Sequence, residues 1–151
     1  MIGAASLILG LLFTPRDTDG RFAAIEVDHA VYEQTVTDIQ HWQARSTTCQ
    51  DPTLHTLGTR IDSLEDPLNY WWSRINLGPQ THNVAEQYGM WHSDLTLRLA
   101  DAMVAHCPEL ADQVYRRVLQ MYSGPSFNAV RDRARVGIDD VRWARENAST
   151  R

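Results

Sequence analysis

Three side chains near the start of the chain could bind a metal ion from one face of a helix. Glu26, His29 and Glu33 stand at positions i, i+3 and i+7, which share one side of an α-helix. Di-iron bundle proteins use a Glu-x-x-His pair of this kind, together with a second such pair and further carboxylates on other helices. This chain has the pair once, and nothing in the spacing brings His92 to a mixed site with it. A hydrogen-bonded core histidine is the simpler interpretation of His29, and metal binding is the alternative.

Other catalytic chemistry has less support from residue types and spacing. The sequence contains neither a G-x-S-x-G nucleophile elbow nor a glycine-rich phosphate-binding loop. His106 and Cys107 are adjacent and would point about 100° apart on a helix, so they cannot form a dyad. Glu65, Asp66 and Glu86 could supply acids for peptidoglycan cleavage, but no pattern distinguishes one of them. We expect no cofactor and favour a function other than catalysis.

Five aromatic residues on two neighbouring predicted helices are the most suggestive binding feature. They could line a groove for a peptide, a glycan or a lipid. Trp71 and Trp72 are adjacent, so both cannot face one core, and one of them is expected at an edge, a membrane surface or a partner. The alternative is that all five are core and rim residues of an ordinary bundle. The five residues are Tyr70, Trp71, Trp72, Tyr88 and Trp91.

The two cysteines, Cys49 and Cys107, are too far apart in sequence for a C-x-x-C zinc or redox motif. Each follows a predicted helix and precedes a proline, and two helix ends are reasonable partners for one disulfide. The bond would close a loop of about 59 residues and stabilise the domain by roughly 3–4 kcal/mol. Because disulfides persist in oxidising compartments, this pairing is conditional on export, and two buried free thiols are the cytoplasmic alternative.

These side chains must be positioned by helices, because apolar residues recur at spacings of three and four along most of the chain. Proline and glycine separate the periodic segments. Asp51 and Asp66 are predicted N-caps before Pro52 and Pro67, and Gly78 is predicted to close the third helix. The predicted helices cover residues 21–45, 52–64, 68–77, 82–106, 109–122 and 127–147. No segment alternates as a β-strand does. The sequence therefore predicts an all-α fold, an antiparallel bundle of four to six helices in a single domain over residues 21–151.

The last predicted helix is apolar on two sides. Val136 and Trp143 are seven residues apart and lie almost opposite the main apolar stripe of that helix. A helix that is apolar on two sides is usually packed between neighbours, either inside a bundle or between protomers. We therefore treat Val136 and Trp143 as a possible interface, and a homodimer through this helix as a hypothesis.

A short apolar segment, residues 2–13, precedes the predicted domain, and residues 15–20 form a polar linker. Twelve helical residues span roughly 18 Å, short of the roughly 30 Å hydrocarbon core of a bilayer. This length is typical of a signal-peptide core, although a basic residue before it and an A-x-A site after it are both missing. We interpret residues 1–14 as a signal or membrane-anchor segment, and a buried N-terminal helix is the alternative.

Composition and charge restrict the possible partners. All 14 basic residues are Arg, which indicates a GC-rich bacterial genome, and the net charge of −5 gives no general attraction to nucleic acid. Residues 1–115 carry a formal charge of −9 and residues 116–151 a formal charge of +4. In the simplest interpretation the two parts neutralise each other within the fold or in a dimer.

Together these patterns favour a non-enzymatic helical module that is exported, or tethered to the membrane facing the periplasm. Its expected partner is another protein of the bacterial envelope, and an inhibitor, an immunity protein and an accessory subunit all fit. One alternative is a metal-dependent or hydrolytic enzyme that uses the carboxylates near His29. The other is a soluble cytoplasmic helical protein.

Overall fold

Proline and glycine residues divide the described chain into its helices. The computed structural model describes residues 20–45 and 48–150. Within these residues there are six α-helices, two short 3-10 helices and no strand, which confirms the predicted all-α bundle. The α-helices are α1 (Arg21–Ala44), α2 (Pro52–Asp62), α3 (Glu65–Trp72), α4 (Pro79–Met103), α5 (Pro108–Met121) and α6 (Asn128–Ala148). The 3-10 helices are Ile75–Leu77 and Pro125–Phe127.

Helix α4 is the centre of the bundle and contacts all five other helices. Later residues of α1 contact later residues of α4, and the same holds for α6. Helices α1 and α6 therefore run parallel to α4. Contacts from α5 run in the opposite sense, as do those from α2 followed by α3. The chain therefore passes up and down alternately, as predicted for an antiparallel bundle.

A helix that is covered on several sides needs small or apolar residues around most of its circumference, and α4 meets this requirement. Thirteen of its 25 residues are buried. At Gly89 an added Cβ would lie 2.6 Å from the Phe127 ring, so only glycine allows this close approach. Gly137 of α6 likewise makes room for the ring of Tyr115, which would lie 2.2 Å from a Cβ there.

Several helix boundaries differ from the sequence prediction, most of all the ends of α3 and the start of α4. Helix α3 begins at Glu65 and ends at Trp72, so Asp66 lies in its first turn and is not an N-cap. Gly78 was predicted to close this helix, but it directly precedes α4, with a φ of 147° that favours glycine. Pro79 then occupies the first helical position, where its missing N–H costs nothing. The predicted Asp51 cap is confirmed, because its side chain accepts from the Thr53 N–H.

The predicted pairing of the two cysteines is confirmed. Cys49, between α1 and α2, and Cys107, directly before α5, have sulfur atoms 2.09 Å apart and Cα atoms 5.6 Å apart. Their Cα separation is in the usual range for a disulfide. The bond ties the start of α5 to the loop that follows α1.

The apolar segment at residues 2–13 and the linker up to residue 19 lie outside the described residues. Among the helices that the structure does describe, none combines the length and the apolar character that crossing a bilayer requires. Export and anchoring by residues 1–14 therefore stay predictions.

Candidate functional site

A buried histidine in the middle of α4 is the centre of a polar cluster. His92 has only 2% of its side chain exposed. Its Nδ1 lies 2.6 Å from the phenol oxygen of Tyr122, which directly follows α5. Its Nε2 lies 3.4 Å from Glu65 Oε1, a contact whose geometry falls short of a hydrogen bond, and it has no other hydrogen-bond partner among the described residues. In this part of the chain, the indole nitrogen of Trp71 is the other buried side-chain atom without such a bond.

Two carboxylates and one arginine complete this arrangement, which we call the His92 cluster: His92, Tyr122, Asp62, Glu65 and Arg117. The Arg117 guanidinium donates to Glu65, and its Nη1 lies 3.9 Å from Asp62 Oδ1. One potential ligand atom from each of Asp62, Glu65 and His92 can be chosen so that all three lie within 4.8 Å of one another. The cluster thus joins α2, α3, α4 and α5.

The break between α2 and α3 explains why two carboxylates face one histidine. Asp62 is the last residue of α2, and Glu65 is the first residue of α3. Leu64, which lies in the break, is buried in the core and anchors it. The short interruption therefore turns both acidic side chains toward the same side of α4.

Burial and the neighbouring carboxylates act in opposite directions on the pKa of His92. Burial is the largest effect and lowers the pKa of His92, because the charged imidazolium is poorly solvated there. The Glu65 carboxylate opposes this effect, while Arg117 adds to it. Burial also raises the pKa of Tyr122. The site therefore holds a neutral imidazole and a neutral phenol beside two carboxylates near pH 7.

Tyr122 also forms part of the wall of a surface cleft of about 320 Å³. The cleft lies between α3, the end of α5 and the following 3-10 helix, and Trp72, Met121 and Phe127 are apolar residues that line it. Arg131 donates to the carbonyl oxygens of Tyr122 and Gly124, both at 2.7 Å, which holds the loop at its edge. The His92 cluster therefore has a cleft of mixed polar and apolar surface on its Tyr122 side.

The five aromatic residues predicted to line one groove are found in three different surroundings. Tyr70 and Trp71 pack edge to face, with ring centroids 5.2 Å apart. Tyr88 and Trp91 do the same at 5.2 Å. Trp72 is 41% exposed and borders the cleft described above. The five side chains do not share a groove, and ligand binding by any of them stays a prediction.

The metal-binding face predicted on α1 is not assembled among the described residues. His29 Nε2 lies 3.6 Å from Glu33 Oε1, but Glu26 does not join them in a group of ligand atoms within 4.8 Å. The expectation that His29 is a core residue is wrong, because about half of its side chain is exposed. Its ring stacks on that of Trp91, with centroids 5.2 Å apart, which explains its place in the apolar stripe.

A second surface feature, which we call the α6 groove, has a volume of about 930 Å³. It lies between α6 and the carboxyl end of α4, and Tyr115 of α5 also contributes to it. Val136 and Trp143 line it and are 60% and 68% exposed. Val104, Ala144 and Ala148 add apolar surface, and the charged residues that line the groove are Asp101, Arg133 and Asp140.

On the other side of α4, Asp94 is the centre of a fully paired network that we call the Asp94 cluster. Its carboxylate accepts from Tyr32 Oη at 2.8 Å, Arg98 Nε at 2.6 Å and Arg133 Nη1 at 3.0 Å. Burial alone would raise the pKa of Asp94, but the three donors outweigh it and hold that pKa below its ordinary value. This cluster ties α1 and α6 to α4.

Sequence reasoning recognised members of the His92 cluster but did not bring them together. Glu65 was a candidate acid, and His92 was considered only with His29. The available signal was the i, i+3 spacing of Asp62 and Glu65 across a helix break, but no spacing connects that pair to His92. No protein family, curated protein or solved structure matches the chain.

Proposed function

We propose that this chain is an exported or membrane-tethered helical module that binds another protein of the bacterial envelope through the α6 groove. The observation that carries the proposal is the exposure of Trp143 and Val136 beside that groove. A single exposed apolar residue needs no explanation. An exposed Trp that borders a contiguous apolar groove, however, is typical of a protein-binding surface.

The shape of the groove favours a helical segment of the partner. It runs along two helices, α4 and α6, and its apolar lining is continuous with Val136 and Trp143. These two residues are seven positions apart, which corresponds to about 10.5 Å along the helix axis. That length matches two turns of an amphipathic helix with apolar residues at i, i+3 or i+4, and i+7. We therefore infer that the partner contributes such a helix.

The charges around the groove favour a protein over a lipid surface. An anionic membrane selects surfaces rich in Lys and Arg. The groove is lined by Asp101 and Asp140 as well as Arg133. This mixture of signs gives no net attraction to anionic lipid, and it can pair with a partner helix that carries both charges at its edges.

The same charges disfavour a second copy of this chain as the occupant. In a twofold antiparallel pairing that places Val136 against Trp143 of the other copy, the symmetry axis passes between Asp139 and Asp140. Four carboxylates would then meet at the axis. Asp139 has Arg142 as a partner at 3.5 Å, but Asp140 has no ion pair among the described residues, and like charges at that distance repel. A different protein avoids this repulsion.

The disulfide supports the expected compartment, because such bonds persist in oxidising environments outside the cytoplasm. The test is to fractionate cells that express the full chain and to treat Cys49 and Cys107 with a thiol-reactive mass tag. Protection without reductant, in a periplasmic or membrane fraction, would support export. Free thiols in the cytosol would overturn it.

Binding through the α6 groove is tested by photo-crosslinking. A photoreactive phenylalanine analogue is placed at Trp143 and, as a matched control, at Leu77, an exposed apolar residue outside the groove. We expect one major adduct from position 143 that is missing from position 77, and mass spectrometry should place the link in an amphipathic helix of a second protein.

The affinity of the purified pair then decides the role of the groove. Trp143→Ser should weaken binding by about 30-fold or more, as for other interface hot spots, while Leu77→Ser should leave it unchanged. Equal effects of the two substitutions, a crosslink only to another copy of this chain, or crosslinking at neither position would each contradict the proposal.

A further inference from the structure

We propose that Asp62, Glu65 and His92 form a binding site for a divalent transition-metal ion of the zinc type, with Arg117 as the cation that occupies this place when the metal is absent. The site is separate from the α6 groove and from the helix α1 residues considered from sequence. A result that contradicts the proposed protein-binding function would therefore leave the metal-site proposal unaffected.

The first observation is the buried Nε2 atom of His92. Buried polar side-chain atoms are nearly always hydrogen-bonded, since an unpaired one is costly. His92 is 98% buried in terms of its side-chain surface, and its Nε2 has no hydrogen bond among the described residues although Glu65 is close. A metal ion would satisfy this nitrogen.

The second observation concerns the other ring nitrogen. Nδ1 lies 2.6 Å from the Tyr122 oxygen. When Nδ1–H donates to that oxygen, the lone pair of the ring is on Nε2 and is directed toward the carboxylates. Histidine ligands of metals commonly donate their second nitrogen to a neighbouring oxygen in this way, which fixes both the tautomer and the ring orientation.

The distances fit a small tetrahedral ion. Zinc bonds to nitrogen and oxygen are about 2.0–2.1 Å, so two ligand atoms of a tetrahedral site lie roughly 3.3 Å apart. His92 Nε2 and Glu65 Oε1 are 3.4 Å apart. Asp62, whose side chain is 59% exposed, lies within the 4.8 Å group and can complete the set by rotating. One imidazole and two carboxylates leave a fourth position for water or a further ligand.

The ligand types favour zinc or a similar transition metal. Calcium and magnesium prefer oxygen ligands alone, whereas an imidazole nitrogen suits zinc and its neighbours.

Arg117 gives the proposal its most specific consequence. Its guanidinium donates to Glu65 and lies near Asp62, so it already supplies positive charge where the ion would lie. Its side chain is 52% exposed and can withdraw into solvent. Metal and arginine therefore compete for the same carboxylates. Removing the arginine charge should therefore strengthen metal binding.

The experiment titrates the untagged, chelator-treated full chain with zinc by calorimetry, and it repeats the titration with Co²⁺ by visible absorption. The wild type should bind one ion. Arg117→Met should bind about 10-fold more tightly. Asp62→Asn should bind at least about 10-fold more weakly, since even the loss of a group that only supports a ligand lowers metal affinity by about 10–100-fold. Asp62 is exposed, so Asp62→Asn avoids a change in the core.

Glu33→Gln is the matched control, because Glu33 pairs with a histidine at 3.6 Å on an exposed face without a third ligand. It should leave zinc affinity and the intense visible bands of tetrahedral Co²⁺ unchanged, while Asp62→Asn should weaken these bands. The proposal is overturned when the wild type binds no zinc, when Glu33→Gln weakens binding as much as Asp62→Asn does, or when Arg117→Met fails to strengthen it.

Discussion

His92 and Asp94 lie two residues apart on α4, and the polar atoms of their side chains are paired to different degrees. Residues two apart on a helix point about 200° from each other, so Asp94 faces α1 and α6 while His92 faces α3 and α5. Asp94 accepts from three donors on three helices. His92 has one partner for Nδ1 and no hydrogen bond at Nε2 among the described residues.

The difference separates a polar network that holds the fold from one that can take a ligand. A fully paired buried network stabilises one arrangement of its helices, and an added ion or molecule would have to break existing bonds. In the His92 cluster, one buried nitrogen has no hydrogen bond among the described residues, and the two carboxylates beside it are paired with a half-exposed arginine. We therefore expect that another cation can replace this arginine without moving the helices.

The largest expected change in stability comes from the disulfide, whose two cysteines belong to neither cluster. Replacing Cys49 and Cys107 by Ser should lower the free energy of unfolding by about 3–4 kcal/mol. Urea denaturation measures this loss, and wild-type protein in reductant serves as the matched control. A variant as stable as the oxidised wild type would show that the bond adds no stability.

Removing one carboxylate from each cluster should lower the free energy of unfolding by different amounts. Asp94→Ala should lower the free energy of unfolding by about 2–3 kcal/mol, because three donors lose a largely buried charged acceptor. Glu65→Ala should cost about 1 kcal/mol or less in metal-free protein, since its partner Arg117 is half-exposed. Urea denaturation compares the two variants, and equal losses would contradict the distinction between the clusters.

The pH dependence of stability should report on the Asp94 cluster. The donors around Asp94 hold its pKa below the ordinary value of 3.8. The stability that they add is complete well above that ordinary value, and it is lost as the pH falls through the lower pKa of the folded state. The wild type should therefore have a higher free energy of unfolding than Asp94→Asn at about pH 5, and this difference should disappear as the pH falls to about 2.

Urea midpoints measured across this range for both proteins give the difference directly. The pKa of Asp38 is also lowered, chiefly by its hydrogen bond from Arg60, but Asp38 is present in both proteins and its effect cancels. An advantage that stays constant down to pH 2 would contradict the role given to Asp94.

The smallest expected effect compares two arginines of α6. Arg133 donates to Asp94 and Asp101, both at 3.0 Å, whereas Arg135 pairs with the exposed Asp132. Arg133→Gln should lower the free energy of unfolding by about 1 kcal/mol, and Arg135→Gln should change it by less than about 0.5 kcal/mol. Thermal or urea denaturation checks both, and a larger loss for Arg135→Gln would reverse the assignment.

Local features of the sequence were sufficient for most of the fold. The helices follow from apolar spacing and from prolines at first helical positions, and the Asp51 cap follows from Asp before Pro. The boundaries of α3 were the weakest part of the prediction. Asp66-Pro67 resembles a helix start, but the buried Leu64 and the break before Glu65 place the start earlier.

The surfaces were harder to predict than the helices. Val136 and Trp143 could be identified from sequence because both lie off the apolar stripe of a single helix. The aromatic groove could not be judged in this way, since its five residues lie on two helices and the angle between their faces depends on packing. His29 was assigned to the core for the same reason, although its place in the stripe reflects stacking on Trp91.

The sequence by itself determined the all-α class, the order of the helices and the cysteines available for a disulfide, because these depend on short-range spacing and on residue chemistry. Only the tertiary structure decided that Asp62, Glu65 and His92 meet, that Asp94 is fully paired, and that Trp143 borders a groove. The physical reason is that spacing tells which residues share a face of one helix. Which faces of different helices meet is set by how the whole core packs, and in particular by the close approaches at Gly89 and Gly137.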